Sequence, residues 1–425
     1  MTKMSASLGK ALCGRHLFAK NYWRNVPNTC TEKNYMKVVT PHYYKDFKCI
    51  AGACTDTCCA GWDVDVDKES YRYYKTVKGD FGKRLKSVMV PSQDGECTFT
   101  LKEGGRCPFL NDDNLCDLYI ELGEDKLCET CAEFPRFIND YGSVREIGIA
   151  PSCKTAGELM FSYQKELTFD VKEEPDITIK PNDIDAFTYM QLGQARAVAY
   201  EIMSDRSVSI YDRMALYLEY TRQIQKHLDN ERDELIINVV KKFCKADYRD
   251  YLIEQLRQQH SERKETKLIT GIRHFYDDFK GMEVINADWN VHVNRVRDVL
   301  DGLIDDEKLA ELIDTYHRHC RECEHEYEQL AMYYIYRYML DAVNDYDVLL
   351  KAKNAIIGII AVDVIAAAGY AAGLNVDFTM RVDIAHLYSR QFEHSYYNFE
   401  VYRDYFGRKR CYSYSFLMKV LMSLY

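Results

Sequence analysis

Residues Ala355–Leu374 read AIIGIIAVDVIAAAGYAAGL, the longest apolar run in the chain. A run of this length can span a bilayer. Asp363 stands in its middle, however, and a charge at the bilayer centre costs about 2.5–3.5 kcal/mol on insertion scales. The flanks are rich in Ala and Gly, and no second apolar run of this kind accompanies it. The stretch is therefore expected to be a buried core helix, and no membrane span is expected.

The sequence on both sides of this run supports a helical body. DAFTYMQLGQARAVAYEIM (Asp185–Met203), SIYDRMALYLEYTRQIQKHL (Ser209–Leu228), DELIINVVKKFCKADYRDYLIEQL (Asp233–Leu256) and DEKLAELIDTYHRHCRECEHEYEQLAMYYIYRYML (Asp306–Leu340) place apolar residues three and four apart. No proline follows Pro181. The pattern predicts an all-α domain over residues 183–425. Upstream, KEEPDITIKPNDID (Lys172–Asp185) is acidic and holds two prolines, so a linker is expected over 166–182.

Residues 36–165 have another character. GKR, PSQDG, EGGR and NDDN are turn signals between short patterned pieces. WDVDVD (Trp62–Asp67) alternates like a strand, and DKESYRYYKTV (Asp67–Val77) reads as a helix. The predicted fold is mainly α: a small irregular cysteine-rich α+β metal-cluster domain, then the helical domain. Residues 1–35 are expected to be a disordered N-terminal extension. The first 31 carry Lys3, Lys10, Arg15, Lys20 and Arg24 and no acid, and MKVVTPHYY from Met36 reads like a native start.

The net charge of −10 and pI near 5.7 argue against nucleic-acid binding through a broad basic surface. No secretory signal is visible, so a cytoplasmic protein is expected. Ten of the 16 cysteines lie between 49 and 153: Cys49, Cys54, Cys58, Cys59, Cys97, Cys107, Cys116, Cys128, Cys131 and Cys153. No histidine falls in that segment. Disulfides need an oxidising compartment. A role as small core hydrophobes suits Cys244 and Cys411, which stand alone in helical patterns, but not ten cysteines set largely among polar turns.

Metal coordination remains, with Cys49, Cys54, Cys58, Cys59, Cys107, Cys116, Cys128 and Cys131 as candidate ligands. Cys128-x2-Cys131 is a common ligand pair. The lack of histidine points to sulfur ligands alone, for an iron–sulfur cluster or a four-cysteine zinc site. Cys54 and Cys58 are followed by Gly61 rather than a third cysteine, so the spacing does not match a radical-type S-adenosylmethionine enzyme. HRHCRECEH (His317–His325) offers a second cysteine and histidine group, but its Arg and Glu residues read as a solvated helix face.

Several stretches together are similar to the flagellin lysine N-methylase family. They are DFKC (Asp46–Cys49), CTDTCCAGWDV (Cys54–Val64), CPFL (Cys107–Leu110), LCDLY (Leu115–Tyr119), CAEFPR (Cys131–Arg136) and SRQFEHSYYNFE (Ser389–Glu400). The cysteine part is shared with a broader group of iron- or zinc-chelating proteins, and only the C-terminal stretch selects the methylase. The resemblance implies S-adenosylmethionine as methyl donor, an iron–sulfur cluster of the 4Fe-4S type, and flagellin lysines as substrate.

Methylating lysine needs a neutral amine, and hence a group that takes its proton. Glu393 and His394, adjacent on the family-like stretch, are the candidate catalytic residues, and a helix cap or structural hydrogen-bond pair is the competing role. Arg136 is a candidate to neutralise cluster charge, against a surface salt bridge. No glycine-rich loop of the dinucleotide-binding kind appears, and the glycines at Gly104 and Gly105 read as a turn. The alternative function is a non-enzymatic iron or zinc chelator or scaffold.

Overall fold

The computed structural model describes residues 35–91, 97–175, 183–261 and 267–424. Residues 1–34 of the expected extension and 176–182 of the expected linker lie outside them.

The N-terminal third contains β1 (Tyr35–Pro41), β2 (Asp65–Val66), α1 (Lys68–Thr76), α2 (Gly79–Val88), β3 (Met89–Pro91) and β4 (Cys97–Phe99). It continues through α3 (Asp117–Leu122), α4 (Glu129–Glu133), β5 (Arg136–Tyr141), β6 (Val144–Ile149), α5 (Lys154–Phe161) and β7 (Phe169–Pro175). The strands form two sheets. The order β5-β6-β1-β7 makes a mixed sheet in which β1 runs parallel to β6 and antiparallel to β7. The order β2-β4-β3 makes a small antiparallel one.

These sheets belong to different cores. Val64, Val66, Tyr74, Leu85, Phe99, Phe109 and Leu118 form a small core around β2–β4. Val39, Phe137, Tyr141, Val144 and Ile149 of the mixed sheet, with Tyr43 of the turn after β1, join the large core of the helices instead. The segment expected to be one cysteine-rich unit is thus a small lobe plus a sheet fused to the body. β7 occupies the first part of the expected linker, paired from Tyr35↔Pro175 to Pro41↔Phe169. Phe169 and Val171 pack on the large core, while the charged Lys172, Glu173 and Glu174 cover an edge, a device that disguised the strand.

The helical body matches the sequence reading. Its main helices are α6 (Ala186–Met203), α7 (Ile210–Leu228), α8 (Ile236–Phe243), α9 (Ala246–Ser261), α10 (Leu268–Lys280) and α11 (Ala287–Gly302). They continue as α12 (Asp306–His319), α13 (Glu324–Tyr338), α14 (Val348–Ala371), α15 (Phe378–Glu393), α16 (Tyr396–Arg408) and α17 (Tyr414–Ser423). The apolar run is α14, buried through almost its whole length and packed against α7, α11, α13 and α15. The Asp347 side chain caps it by accepting from the Leu350 amide at 2.8 Å. Gly358 permits a close approach: a Cβ there would lie 2.8 Å from the Tyr334 hydroxyl. No helix of the described residues is long and apolar enough to cross a membrane.

One expected helix is broken. Asp306–Leu340 divides at Cys320–Cys323, which a disulfide joins between α12 and α13. This bond departs from the expectation that the chain carries no disulfide, and it leaves neither sulfur free for the second metal site weighed from the sequence. The large core is tied to the mixed sheet by a buried forked pair. Arg196 NH1 donates to Glu146 Oε2 at 2.8 Å and NH2 to Oε1 at 2.5 Å, both side chains being almost fully enclosed.

Candidate functional site

Backbone pairing folds the cysteine segment so that its sulfurs fall into two sets. In the first, the turn Ala51–Ala53 lets the Ala51 amide donate to Cys49 Sγ at 3.4 Å, and Cys54 Sγ faces the Asp56 carbonyl at 3.2 Å. Cys58 ends this loop. The Cys58 thiol is raised chiefly by its hydrogen bond with Cys59 and by burial, with smaller contributions from Cys49 and Cys153, so the two sets meet at Cys58 and Cys59. Cys54 and Cys49 make small contributions at Cys153. The amides of Ala156 and Thr155, at the start of α5, bond the Cys153 sulfur, although burial still pushes that thiol up.

The second set centres on the small core. The Cys107 amide donates to the Cys59 carbonyl at 2.8 Å, a bridge joins Leu110 to Cys116, and the Cys131 amide donates to the Cys128 carbonyl at 3.0 Å. Cys97 is buried beside them, its thiol pushed up to about 11 by burial. Two pairs of neighbouring thiols exchange hydrogen bonds. In one, Cys58 holds the Cys59 thiol down to about 7, while Cys58 itself is raised by that bond. In the other, Cys131 lowers Cys128 and is itself raised. Arg390 and Arg106 add positive potential at Cys59.

Among the described residues, no three His, Cys, Asp or Glu groups stand close enough to hold one ion. Closing either set on a metal therefore requires its turns to draw together, the usual coupling of metal binding to folding. The donor chemistry suits an iron–sulfur cluster: thiols alone, amides aimed at sulfur, and nearby guanidinium charge. Of the eight sequence candidates, Cys49, Cys54 and Cys58 fall in the first set, and Cys59, Cys107, Cys116, Cys128 and Cys131 in the second. Cys153 joins the first set and was not among the candidates. It stands alone in sequence, and only the fold gives it partners.

The seam between lobe and body is built by α15. Arg390 donates from NH1 to Asp56 Oδ1 at 2.6 Å and from NH2 to the Thr57 carbonyl at 2.8 Å, and its Nε faces the Ser152 carbonyl at 3.4 Å. His386 Nε2 bonds Asp56 Oδ2 at 2.8 Å, and Asn286 reaches the same oxygen at 3.2 Å. Burial raises the Asp56 carboxyl, but the His386 bond and the Arg390 charge outweigh it and hold the group below its ordinary value. The Arg390 guanidinium also lies 4.6 Å over the Trp62 ring. Gly61 approaches the body so closely that a Cβ would stand 2.8 Å from the Ile285 carbonyl, and its φ of 95° favours glycine.

Glu393 and His394 point to different surroundings. Glu393 ends α15 and is enclosed by four donors: Tyr333, Arg337, Tyr338 at 2.7 Å and Ser389 at 2.8 Å. His394 turns towards the lobe. It stacks on Trp62 with centroids 5.0 Å apart, and its Nε2 meets Ser152 Oγ at 2.7 Å. Burial pushes its ring down to about 4. Glu393 thus has the geometry of an anchor and His394 that of a seam residue. Arg136 donates to the Tyr44 hydroxyl at 2.9 Å and lies over Tyr44 and Phe47.

A cavity of about 310 Å³ lies elsewhere in the body, lined by Ile210, Asp314, His317, Arg318, Cys320, Arg321, Cys323, Glu324 and Tyr327. Behind it stands Asp363 of α14, only 1 % exposed. Asp363 accepts from the Tyr211 hydroxyl, and His317 Nε2 contacts its two oxygens at 2.9 and 3.0 Å. Burial opposes both charges, yet the pairing wins: the His317 ring is held above its ordinary value and the Asp363 carboxyl below. In the sequence Asp363 argues only against a membrane span, and His317 lies in a stretch with the pattern of a solvated helix face.

A family profile described as the FliB lysine N-methylase C-terminal domain matches residues 196–420, more than half of the chain. The chain is 27% identical over 121 residues to the flagellar biosynthetic protein FliU of Salmonella muenchen, covering 27% of this chain and 72% of that relative. It is 31% identical over 121 residues to the lysine-N-methylases of Salmonella choleraesuis and Salmonella typhimurium, covering 30% of each. No solved structure matches.

Proposed function

The chain belongs to the family of the FliB lysine N-methylase C-terminal domain, and from that premise we propose that it is a cytoplasmic protein-lysine N-methyltransferase. The methyl donor in this reading is S-adenosylmethionine and the substrate is flagellin, whose surface lysines accept the methyl group. The resemblance of the cysteine segment and the names of the relatives support this reading. The described sheets are not doubly wound, so the donor is taken up by some other kind of site.

The observation that carries the reading is the His317–Asp363 pair beside the cavity, within the segment that the family profile matches. A lysine side chain is long and apolar with a terminal amine. Ile210 and the Tyr327 ring suit its stem. The rim charges of Asp314 and Glu324 are balanced by Arg318 and Arg321, which favours the neutral amine over the ammonium. In the transfer, the amine lone pair forms a bond to the methyl carbon as the carbon–sulfur bond breaks. The sulfonium becomes a neutral thioether, and the amine proton passes to the imidazole of His317. Asp363 holds that ring and stabilises its charged form.

The cysteine lobe, in this reading, holds an iron–sulfur cluster, which when bound supplies folding energy to a small loop-rich unit. The test is methyl transfer from labelled donor to flagellin, with His317→Gln alongside. Wild-type protein is expected to label lysine, and the variant to lose about 10²–10⁴-fold of its rate. No labelling by wild-type protein refutes the transferase. Full activity of the variant refutes the role of the cavity.

A further inference from the structure

We propose that Cys320 and Cys323 form a reversible dithiol–disulfide switch that sets how firmly the rim of the lysine cavity holds His317. The inference rests on the reading of that cavity as the lysine site and adds its regulation.

The pair spans the break between α12 and α13. Cys320 follows the last residue of α12, its amide donating to the Tyr316 carbonyl at 2.9 Å, and Cys323 precedes the first residue of α13. Both line the cavity, with His317, Arg318 and Arg321 beside them. A disulfide in a reducing compartment is usually transient and redox-active, and the reading above places this chain in the cytoplasm.

Cys320 is half-buried and the intervening Arg321 and Glu322 are exposed, whereas Cys323 is buried. An incoming thiolate therefore attacks Cys320 Sγ. The S–S bond breaks, a mixed disulfide forms at Cys320, and the electron pair leaves on Cys323. Cys323 stands at the N-terminus of α13, where the helix dipole favours a thiolate. Of the acids on the cavity wall, Asp314 is paired with Arg318 at 3.0 Å and Glu324 with Arg213, which offsets their charge at that sulfur. The second thiol of a dithiol donor then displaces the mixed disulfide. The donor leaves as its own disulfide, and two electrons and two protons have passed to Cys320 and Cys323.

The two helices are anchored unequally. Arg213 of α7 reaches Glu324 and Glu328 of α13, and His325 Nε2 contacts the Phe161 carbonyl at 2.9 Å. The last turn of α12 rests on Tyr370 through the His319 ring, 4.7 Å away, and on the disulfide. Reduction therefore loosens α12 rather than α13, in the turn that carries His317. Cross-linking residues three apart in sequence suppresses opening of that turn by roughly 20-fold through loop entropy.

The experiment equilibrates the full chain, without oxygen or denaturant, in reduced or in oxidised dithiothreitol. Alkylation is read peptide by peptide by mass spectrometry, alongside hydrogen exchange and methyl transfer to flagellin. Cys320 and Cys323 should be alkylated in the reduced medium and protected in the oxidised one. The amides of His319 and Cys320 should exchange roughly 20-fold faster when reduced, while those of α13 stay within a few-fold. KM for flagellin should rise by about twofold or more as the competent fraction falls. Cys320→Ser with Cys323→Ser should show the fast exchange in both media, which separates this pair from the thiols of the lobe. A pair protected in both media, or alkylated in both, overturns the switch, as do equal exchange rates or a redox response that persists in the double variant. Methyl transfer that ignores the medium while α12 loosens overturns the link to the cavity. No methyl transfer in either medium refutes the transferase reading instead, and alkylation with exchange still decides the switch.

Discussion

Replacing Arg390 by Met should loosen the cysteine lobe without unfolding the helical body. Arg390 is almost fully buried, and its guanidinium serves Asp56, the Thr57 carbonyl and the Ser152 carbonyl while lying on Trp62. Removing one partner of a buried ion pair costs about 3–5 kcal/mol. Asp56 is 26 % exposed and keeps His386 and Asn286, so water and these neighbours recover part of that loss. We expect about 3 kcal/mol, concentrated at the seam. At 1.36 kcal/mol per factor of ten, the open lobe becomes roughly 10²-fold more populated. Hydrogen exchange reads this directly. The amides pairing β2 with β4, and that of Cys107, should exchange about 10²-fold faster, while those of α14 stay within a few-fold of wild type. Arg390→Lys should rescue only in part, because one ammonium cannot reproduce a planar fork. The Asp56 carboxyl lies below its ordinary value, so its stabilisation is present above about pH 4 and fades as pH falls through the folded value. The gap between wild type and variant should therefore narrow in acid. Unchanged exchange in the lobe, or equal acceleration in α14, refutes the view that α15 fastens the lobe through this side chain.

Two further outcomes follow from buried charge. Arg196→Met should cost about 3–5 kcal/mol in denaturant unfolding, whereas Arg196→Met with Glu146→Leu should return to near wild type, because the penalty lies in the abandoned charge; a double variant as unstable as the single contradicts this. The raised His317 contributes stability that is full below about pH 6.5 and is lost as pH rises through its folded value, while the lowered Asp363 contributes above about pH 4 and loses its share in acid. Asp363→Asn should therefore flatten the alkaline fall in unfolding free energy, whose slope in wild type is at most about 1.4 kcal/mol per pH unit for one proton; identical slopes exclude the pair as its source.

What the sequence could reveal depended on whether the signal was local. Periodicity is local, and so α6, α7 and α14 were legible from apolar spacing alone. Asp363 was legible too, but only as an argument against a bilayer. Its partner His317 lay in a stretch read as a solvated face, because nothing along the chain joins the two and packing of α12 against α14 does. The same limit hid Cys153, whose neighbours Cys49 and Cys54 are brought to it by bonds from α15, more than two hundred residues further on. Adjacency also misled in the other direction. Glu393 and His394 are consecutive, yet α15 ends between them, and the change of backbone direction sends one into the tyrosines of α13 and the other onto Trp62. Residues that touch in sequence at the end of a helix or loop are poor guides to a shared role, because that is where the backbone stops repeating. The cysteine sets and the His317–Asp363 pair are both assembled by long-range contacts, and the family-like stretch Ser389–Glu400 is informative because its first residues make contacts of that kind: Arg390 and His394 carry the lobe that holds the cysteines.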